Sequence, residues 1–392
     1  MDQAPVTPPL VAGPLRLVPF RALRLTGPRI ADPASARTLA RPYRDVPERL
    51  RSWQQRGFLV HDAEPALYLH EYTVSGITVR GLVGAVDVSH RTSRLDQRAL
   101  LPHEGIYPAQ ADDLADRMAE MGINPAPILL VQRSPAALRE LLATVRSGPA
   151  EQLVDRSDHL HRVWTLRDPA LLAAVQELLG PTTALIADGH HRYAAYLKLQ
   201  ARDPGAPTDR GLAMLVDHDD TPLFLGAIHR VLVGSSVRDL ADAAAALEIP
   251  TRVVTQDQAV AALGPATLVA TDTETWLVLD LDLSDDDRVE VEVLHDRLVP
   301  SLGHGPRRIT YHHTAQDALH LAGPDYGTAV LMPAPTLSQV QQVVDAGRLF
   351  PEKATSFQPK PAFGVFIRSW HDEGPDLASP PPPPATPDPP PS

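Results

Sequence analysis

The run Ile186-Ala187-Asp188-Gly189-His190-His191-Arg192-Tyr193 gathers a carboxylate, a glycine, two imidazoles and a guanidinium into consecutive positions. A short apolar run from Thr183 to Ala187 precedes it and an apolar pattern of helical spacing from His190 to Ala201 follows, so the expected order is strand, tight turn, helix. Gly189 admits a close turn. The helix that follows would present unpaired N–H groups and the positive end of its dipole, an arrangement that suits an anion, phosphate foremost. Arg192 can add a bidentate contact, and His190 or His191 a donated hydrogen bond. The same residues also support a plainer reading, in which Asp188 caps the helix, the histidines pack nearby and Arg192 makes a surface ion pair. Spacing alone leaves both open.

Other candidates are scattered along the chain. Lysine occurs only at Lys198, Lys353 and Lys360. The last two flank Thr355 and Ser356 in a proline-bounded segment that can fold over a phosphate or acidic substrate as a point-charge contact, or stand solvated in a loop. Glu104, preceded by His103, is either a working carboxylate or a solvated loop residue. His159 and His161 alternate at strand spacing, whereas His190/His191 and His312/His313 are adjacent pairs whose side chains diverge on a strand or helix. No dedicated metal site is therefore expected, while magnesium bound mainly through nucleotide phosphates would leave little trace. There is no H-E-x-x-H pattern, P-loop, protein-kinase signature set or G-x-S-x-G elbow.

The elements that must position these residues are mixed. Pro65 to Tyr72 and Val79 to Val88 read as paired strands around a turn near Ser75-Gly76. Ala136 to Val145 and Pro169 to Leu179 read as helices. Further strands are expected at Gly211 to Val216, Leu223 to Leu232, Ala266 to Thr271 and Thr275 to Leu281, and further helices at Val237 to Leu247, Thr314 to Leu321 and Leu337 to Ala346. Trp164 reads as core packing, with His161 beside it. No fixed-period repeat occurs, so a mixed α/β or α+β fold follows.

Composition narrows the chemistry. The 392 residues contain no cysteine, which excludes disulfides, thiolate nucleophiles and cysteine-ligated metal. With 36 basic against 48 acidic side chains the net charge is −12, which argues against strong nucleic-acid binding. Neither a signal peptide nor a membrane-spanning run is expected, placing the protein in the cytoplasm. Of the 41 prolines, ten fall in Pro375 to Pro391. Residues 1–13 are accordingly expected to be flexible and 374–392 to be a disordered, proline-rich tail able to meet a partner with an aromatic groove.

Taken together, D-G-H-H-R-Y, Pro19-Phe20-Arg21-Ala22-Leu23-Arg24, His103-Glu104 before Asp116-Arg117, His161-Arg162-Val163-Trp164, and Phe350 to Lys360 resemble, in order and spacing from about residue 14 to residue 368, a widespread uncharacterised prokaryotic family. Its central segment is similar to the nucleotide-binding motif of the ParB and sulfiredoxin superfamily, which includes free-serine kinases. The resemblance implies a ParB/sulfiredoxin-like nucleotide-binding core over 14–232, a second α/β region over 233–373, and a nucleotide such as ATP or ADP with Mg2+. It further implies that Gly189, His190, His191, Arg192 and Lys353 contact nucleotide phosphates, that Asp188 and Glu104 are the catalytic carboxylates, and that His103, Thr355 and Lys360 support the substrate. The function so implied is a phosphotransferase acting on a small hydroxyl compound such as free serine; the alternative is a non-catalytic nucleotide-binding switch. A homo-oligomer is compatible with either. The chain departs from the family pattern at Arg41-Pro42-Tyr43-Arg44-Asp45, at Gly105-Ile106-Tyr107 and at Ala354.

Overall fold

The computed structural model describes residues 5–205, 207–283 and 288–371. The proline-rich tail at 374–392 lies outside the described residues. The fold is mixed α+β. Among the described residues, one nine-stranded sheet runs in the order Glu151–Val154, Leu160–Leu166, Leu67–Val74, Ile77–Asp87, Arg210–Asp217, Ile128–Gln132, Ala184–Asp188 and Leu100–Leu101, with Leu17–Val18 added on Ile77–Asp87. A second, six-stranded sheet runs Thr251–Val254, Trp276–Asp280, Thr267–Thr271, Gly327–Leu331, His229–Val233, Arg308–His312. No described helix is long and apolar enough to cross a membrane.

Local sequence explains many boundaries. Ser75 and Gly76 both take positive φ (52° and 78°) between strands paired from Val74 against Ile77, a two-residue hairpin of the type that right-handed strand twist favours. The helix Pro169–Leu179 begins with proline behind Asp168, whose side chain accepts the Leu171 amide at 2.8 Å. Ser236 with Asp239 and Thr336 with Gln339 form capping boxes for Val237–Ala246 and Leu337–Asp345. The helix His190–Arg202 buries Tyr193 and Tyr196 against the large sheet. Gly211 makes that approach possible, since a Cβ there would lie 2.1 Å from the Tyr196 ring.

Three expectations are corrected. Leu223 to Leu232 is two strands, not one: Phe224–Gly226 pairs with Ser356–Gln358, while His229–Val233 enters the six-stranded sheet. Asp188 does not cap the following helix. It closes the strand Ala184–Asp188, and Gly189 occupies the N-cap with φ 96°, a left-handed conformation that costs glycine little. The N-terminal segment is also held closely: Val6 bridges Ile106, Leu10–Val11 pairs with Arg91–Thr92, and Pro9 O accepts from the Tyr193 hydroxyl at 2.8 Å.

Residues 218–228 link the two sheets along the chain, which later returns to its start. Ile367–Ser369 is inserted between Ala22–Leu25 and Ile123–Asn124, with Leu59–His61 completing a four-stranded sheet. This return brings the 350–360 segment against the N-terminus of the helix His190–Arg202.

Candidate functional site

Between the two sheets lies a cleft of about 830 Å³ lined by Glu104, Asp188, Gly189, His190, His191, Arg192, Lys353, Thr355 and Lys360. Nine of the ten residues singled out from the sequence thus converge. The tenth, His103, is fully buried directly behind them, its Nε2 2.7 Å from Thr355 Oγ1.

The helix start is built for an acceptor. Gly189 provides no side-chain cap, and Tyr193 N–H is the amide that bonds back to Gly189 O, at 2.8 Å. The preceding amides have no partner within the helix and face the cleft end of its dipole. Glycine is required here twice over, by its φ and because a Cβ would stand 2.9 Å from Arg192 Nη2 and 3.0 Å from Ile128 Cγ2.

Asp188 is held between two cations. Its Oδ2 accepts from Arg192 Nη2 at 2.6 Å and its Oδ1 from Lys360 Nζ at 2.5 Å. Arg192 further donates to the carbonyls of Ala126 and Pro127. Its fork is therefore turned toward the protein, which differs from a guanidinium open for bidentate phosphate contact.

Glu104 sits differently. Its Oε1 accepts from Thr355 Oγ1 at 3.4 Å, and its Oε2 lies 3.9 Å from His190 Nδ1. Burial pushes its pKa up to about 7, with Asp188 adding repulsion and the Lys353 ammonium and Thr355 hydroxyl opposing the shift. The two carboxylates of one cleft are thus distinct: one paired with two cations, the other poised to exchange a proton near neutrality.

The histidines are neutral. His190 Nε2 accepts the His103 amide at 3.3 Å and His191 Nε2 accepts the Tyr107 amide at 3.1 Å, so each neutral ring carries its one hydrogen on Nδ1. Burial lowers the pKa of both, that of His190 well below its ordinary value, and pushes His103 down to about 3. His190 can donate toward Glu104, but no full positive charge comes from this pair.

Several lining residues were not legible in the sequence. Tyr107 stacks on His191, with centroids 6.0 Å apart and planes 6° from parallel, and its hydroxyl donates to Glu352 at 2.8 Å. No motif marked it. Ile228, Tyr311 and His313 come from the second sheet and its approach, remote from any motif. Among the described residues no group of three His, Cys, Asp or Glu side chains is placed to hold a metal ion. Magnesium asks for one or two carboxylates plus phosphate oxygens, and both oxygens of Asp188 are already taken by Arg192 and Lys360, so the residues present do not fit a protein-held magnesium ion.

The profile of a family described as "Protein of unknown function (DUF1015)" matches residues 15–294. No curated protein matches the sequence. Among solved structures, a variant of free serine kinase in complex with AMP is similar at 16% identity, covering 74% of this chain and 92% of that chain with a TM-score of 0.42. A C-terminally truncated SbnI from Staphylococcus aureus is similar at 12% identity, covering 73% and 87%, with a TM-score of 0.41. A conserved hypothetical protein from Pyrococcus furiosus is similar at 17% identity, covering 70% and 92%, with a TM-score of 0.36. Likeness at that level carries no function from those proteins to this one.

Proposed function

This chain belongs to the DUF1015 family of proteins of unknown function, and we propose that it is a nucleotide-dependent phosphotransferase acting on a small hydroxyl compound such as free serine. The observation that carries the reading is the convergence of Glu104, Asp188, Lys353, Lys360 and the helix start at Gly189 on one cleft. Its volume is of the size that holds a nucleotide with a small acceptor.

Each group has a part in the transfer. The amides at Gly189 to Arg192 hold the phosphates, with Lys353 and Lys360 as point charges on the transferring group. Arg192 keeps Asp188 oriented through the 2.6 Å bond rather than gripping phosphate itself. Glu104 takes the acceptor's hydroxyl proton while the oxygen bonds to the γ-phosphorus; the bond from that phosphorus to the β-phosphate oxygen breaks and ADP leaves with the electron pair. A carboxylate with pKa about 7 is matched to that proton transfer. His103 and Thr355 orient Glu104 from behind, through the 2.7 Å contact between them.

Titration calorimetry with ATP, ADP and CTP, followed by phosphorus NMR of mixtures containing serine and related alcohols, tests the reading. Binding of ATP with formation of a phosphorylated alcohol is expected. Absence of binding to all three nucleotides overturns it. Binding with no product across the alcohols, coupled to a change in self-association, points instead to a nucleotide-gated switch.

A further inference from the structure

Arg230 belongs to the second sheet, is 1% exposed, and lies behind the wall of the cleft. Its donors are all placed on neutral acceptors. Nη2 donates to Lys353 O at 3.0 Å, Nη1 to Ile228 O, and Nε to His295 Nε2 at 3.3 Å. Its Cζ lies 5.6 Å from the centroid of the Tyr311 ring. Among the described residues no carboxylate stands within ion-pair distance of it, in contrast to Arg24, Arg80 and Arg348, each of which meets an aspartate or glutamate.

A buried guanidinium without a carboxylate is costly, because hydrogen bonds to neutral groups offset only part of the lost hydration. Burial pulls its pKa down to about 10, which leaves it charged at neutral pH. Glu104 is the carboxylate whose charge reaches it, and Glu104 is itself half protonated near pH 7. Three of the groups that Arg230 touches, Ile228, Tyr311 and Lys353, line the cleft. Lys353 also holds φ at 54°, in the left-handed region that a lysine rarely adopts, and the Arg230 bond to its carbonyl pins that turn.

We propose that Arg230 is a positioning residue for a phosphate-bearing ligand: it fixes the turn that aims Lys353, so that the second sheet sets affinity for the ligand's acid group. This rests on the phosphotransfer reading and adds to it a part for a region in which the sequence marked no motif residue.

The test is calorimetric titration of the full chain and its Arg230→Met, Arg230→Lys, Lys353→Met and doubly substituted (Arg230→Met with Lys353→Met) forms with ATP and with pyrophosphate, each checked for a cooperative melt. Arg230→Met is expected to weaken both ligands at least about tenfold, Arg230→Lys to restore part of the loss, and the double substitution to be no weaker than the worse single, since Arg230 acts through Lys353. The midpoint of the pH–rate profile should also rise in Arg230→Met, as Glu104 loses a neighbouring cation, a change that a merely structural role would not produce. Wild-type affinity in a folded Arg230→Met protein, or multiplied losses in the double substitution, overturns the proposal while leaving the phosphotransfer reading intact. If Arg230→Met does not fold, the comparison rests on Arg230→Lys, which keeps a buried cation but cannot span both carbonyls; wild-type affinity there overturns the positioning role. Pyrophosphate binding that depends on Arg230, with no binding of ATP, supports this proposal and overturns the phosphotransfer reading; binding of neither ligand by the wild type overturns both.

Discussion

Asp188 and Lys360 meet at 2.5 Å although 172 positions separate them, tying the end of the strand Ala184–Asp188 to the segment that returns from the second sheet. The ammonium is half exposed, so as a surface pair it contributes at most about 1 kcal/mol to folding. Its place at the helix start gives it a different weight in function. Lys360→Met is expected to leave the melting temperature nearly unchanged while lowering kcat/KM about a hundredfold, the usual scale for removing one electrostatic contact to a transferring group. Parallel melts and steady-state kinetics check the dissociation of the two effects.

Glu104→Gln removes the group that accepts the acceptor's proton. A fall in kcat of about 10²- to 10⁴-fold is expected, with nucleotide affinity retained. In the wild type the carboxylate works when ionised, so kcat/KM should climb as pH rises through about 7 and level off above it. A profile flat from pH 6 to pH 8, within about twofold, would remove Glu104 from that role.

Gly189→Ala forces a side chain into φ 96° and into contact with Arg192 and Ile128. A loss of about 1–3 kcal/mol in stability is expected, with phosphate affinity falling further because the helix start must shift. Chemical denaturation and ATP titration of the variant measure the two separately.

Buried histidines make the fold acid-sensitive. His103 is pushed down to about 3, and His70 and His190 well below the ordinary value of 6.5. The unfolded chain therefore binds protons on these residues below pH 6.5 where the folded chain does not; their contribution is complete above 6.5 and is lost as pH falls below it. Each costs up to about 1.4 kcal/mol per pH unit over that interval. Glu104 runs the other way, its contribution being complete below its ordinary 4.5 and lost as pH rises toward about 7. Three histidines outweigh one glutamate, so the melting temperature should drop between about pH 6.5 and pH 5. His103→Gln should flatten that slope.

Local signals made part of this legible. Asp168-Pro169, Ser236 with Asp239 and Ser75-Gly76 mark caps and a turn by chemistry confined to a few residues, and the structure places helices and a hairpin there. The Asp188 to Arg192 turn was readable for the same reason. The strands Ala22–Leu25 and Ile367–Ser369 were not, because what defines them is packing against distant segments, and the helix Pro108–Met121 was missed although Pro108 at its first turn and the left-handed Gly122 at its end mark it locally. In the cleft, Arg192 illustrates the limit: spacing gave its proximity to Asp188, but the carbonyls of Ala126 and Pro127 that turn its fork inward come from another loop. Tyr107, Tyr311 and Arg230 carried no local signature of any kind.

The central place of Ile367–Ser369 in its sheet, between Ala22–Leu25 and Ile123–Asn124, has a consequence in time. A nascent chain cannot close that sheet until translation has passed residue 369, nor bring Lys360 to Asp188 until it has passed residue 360. Early segments must wait with their edges unpaired, a topology of high contact order that folds slowly. The cleft is thus assembled only after residues 349–360 have been synthesised, and chains that stop short of them should bind nothing there.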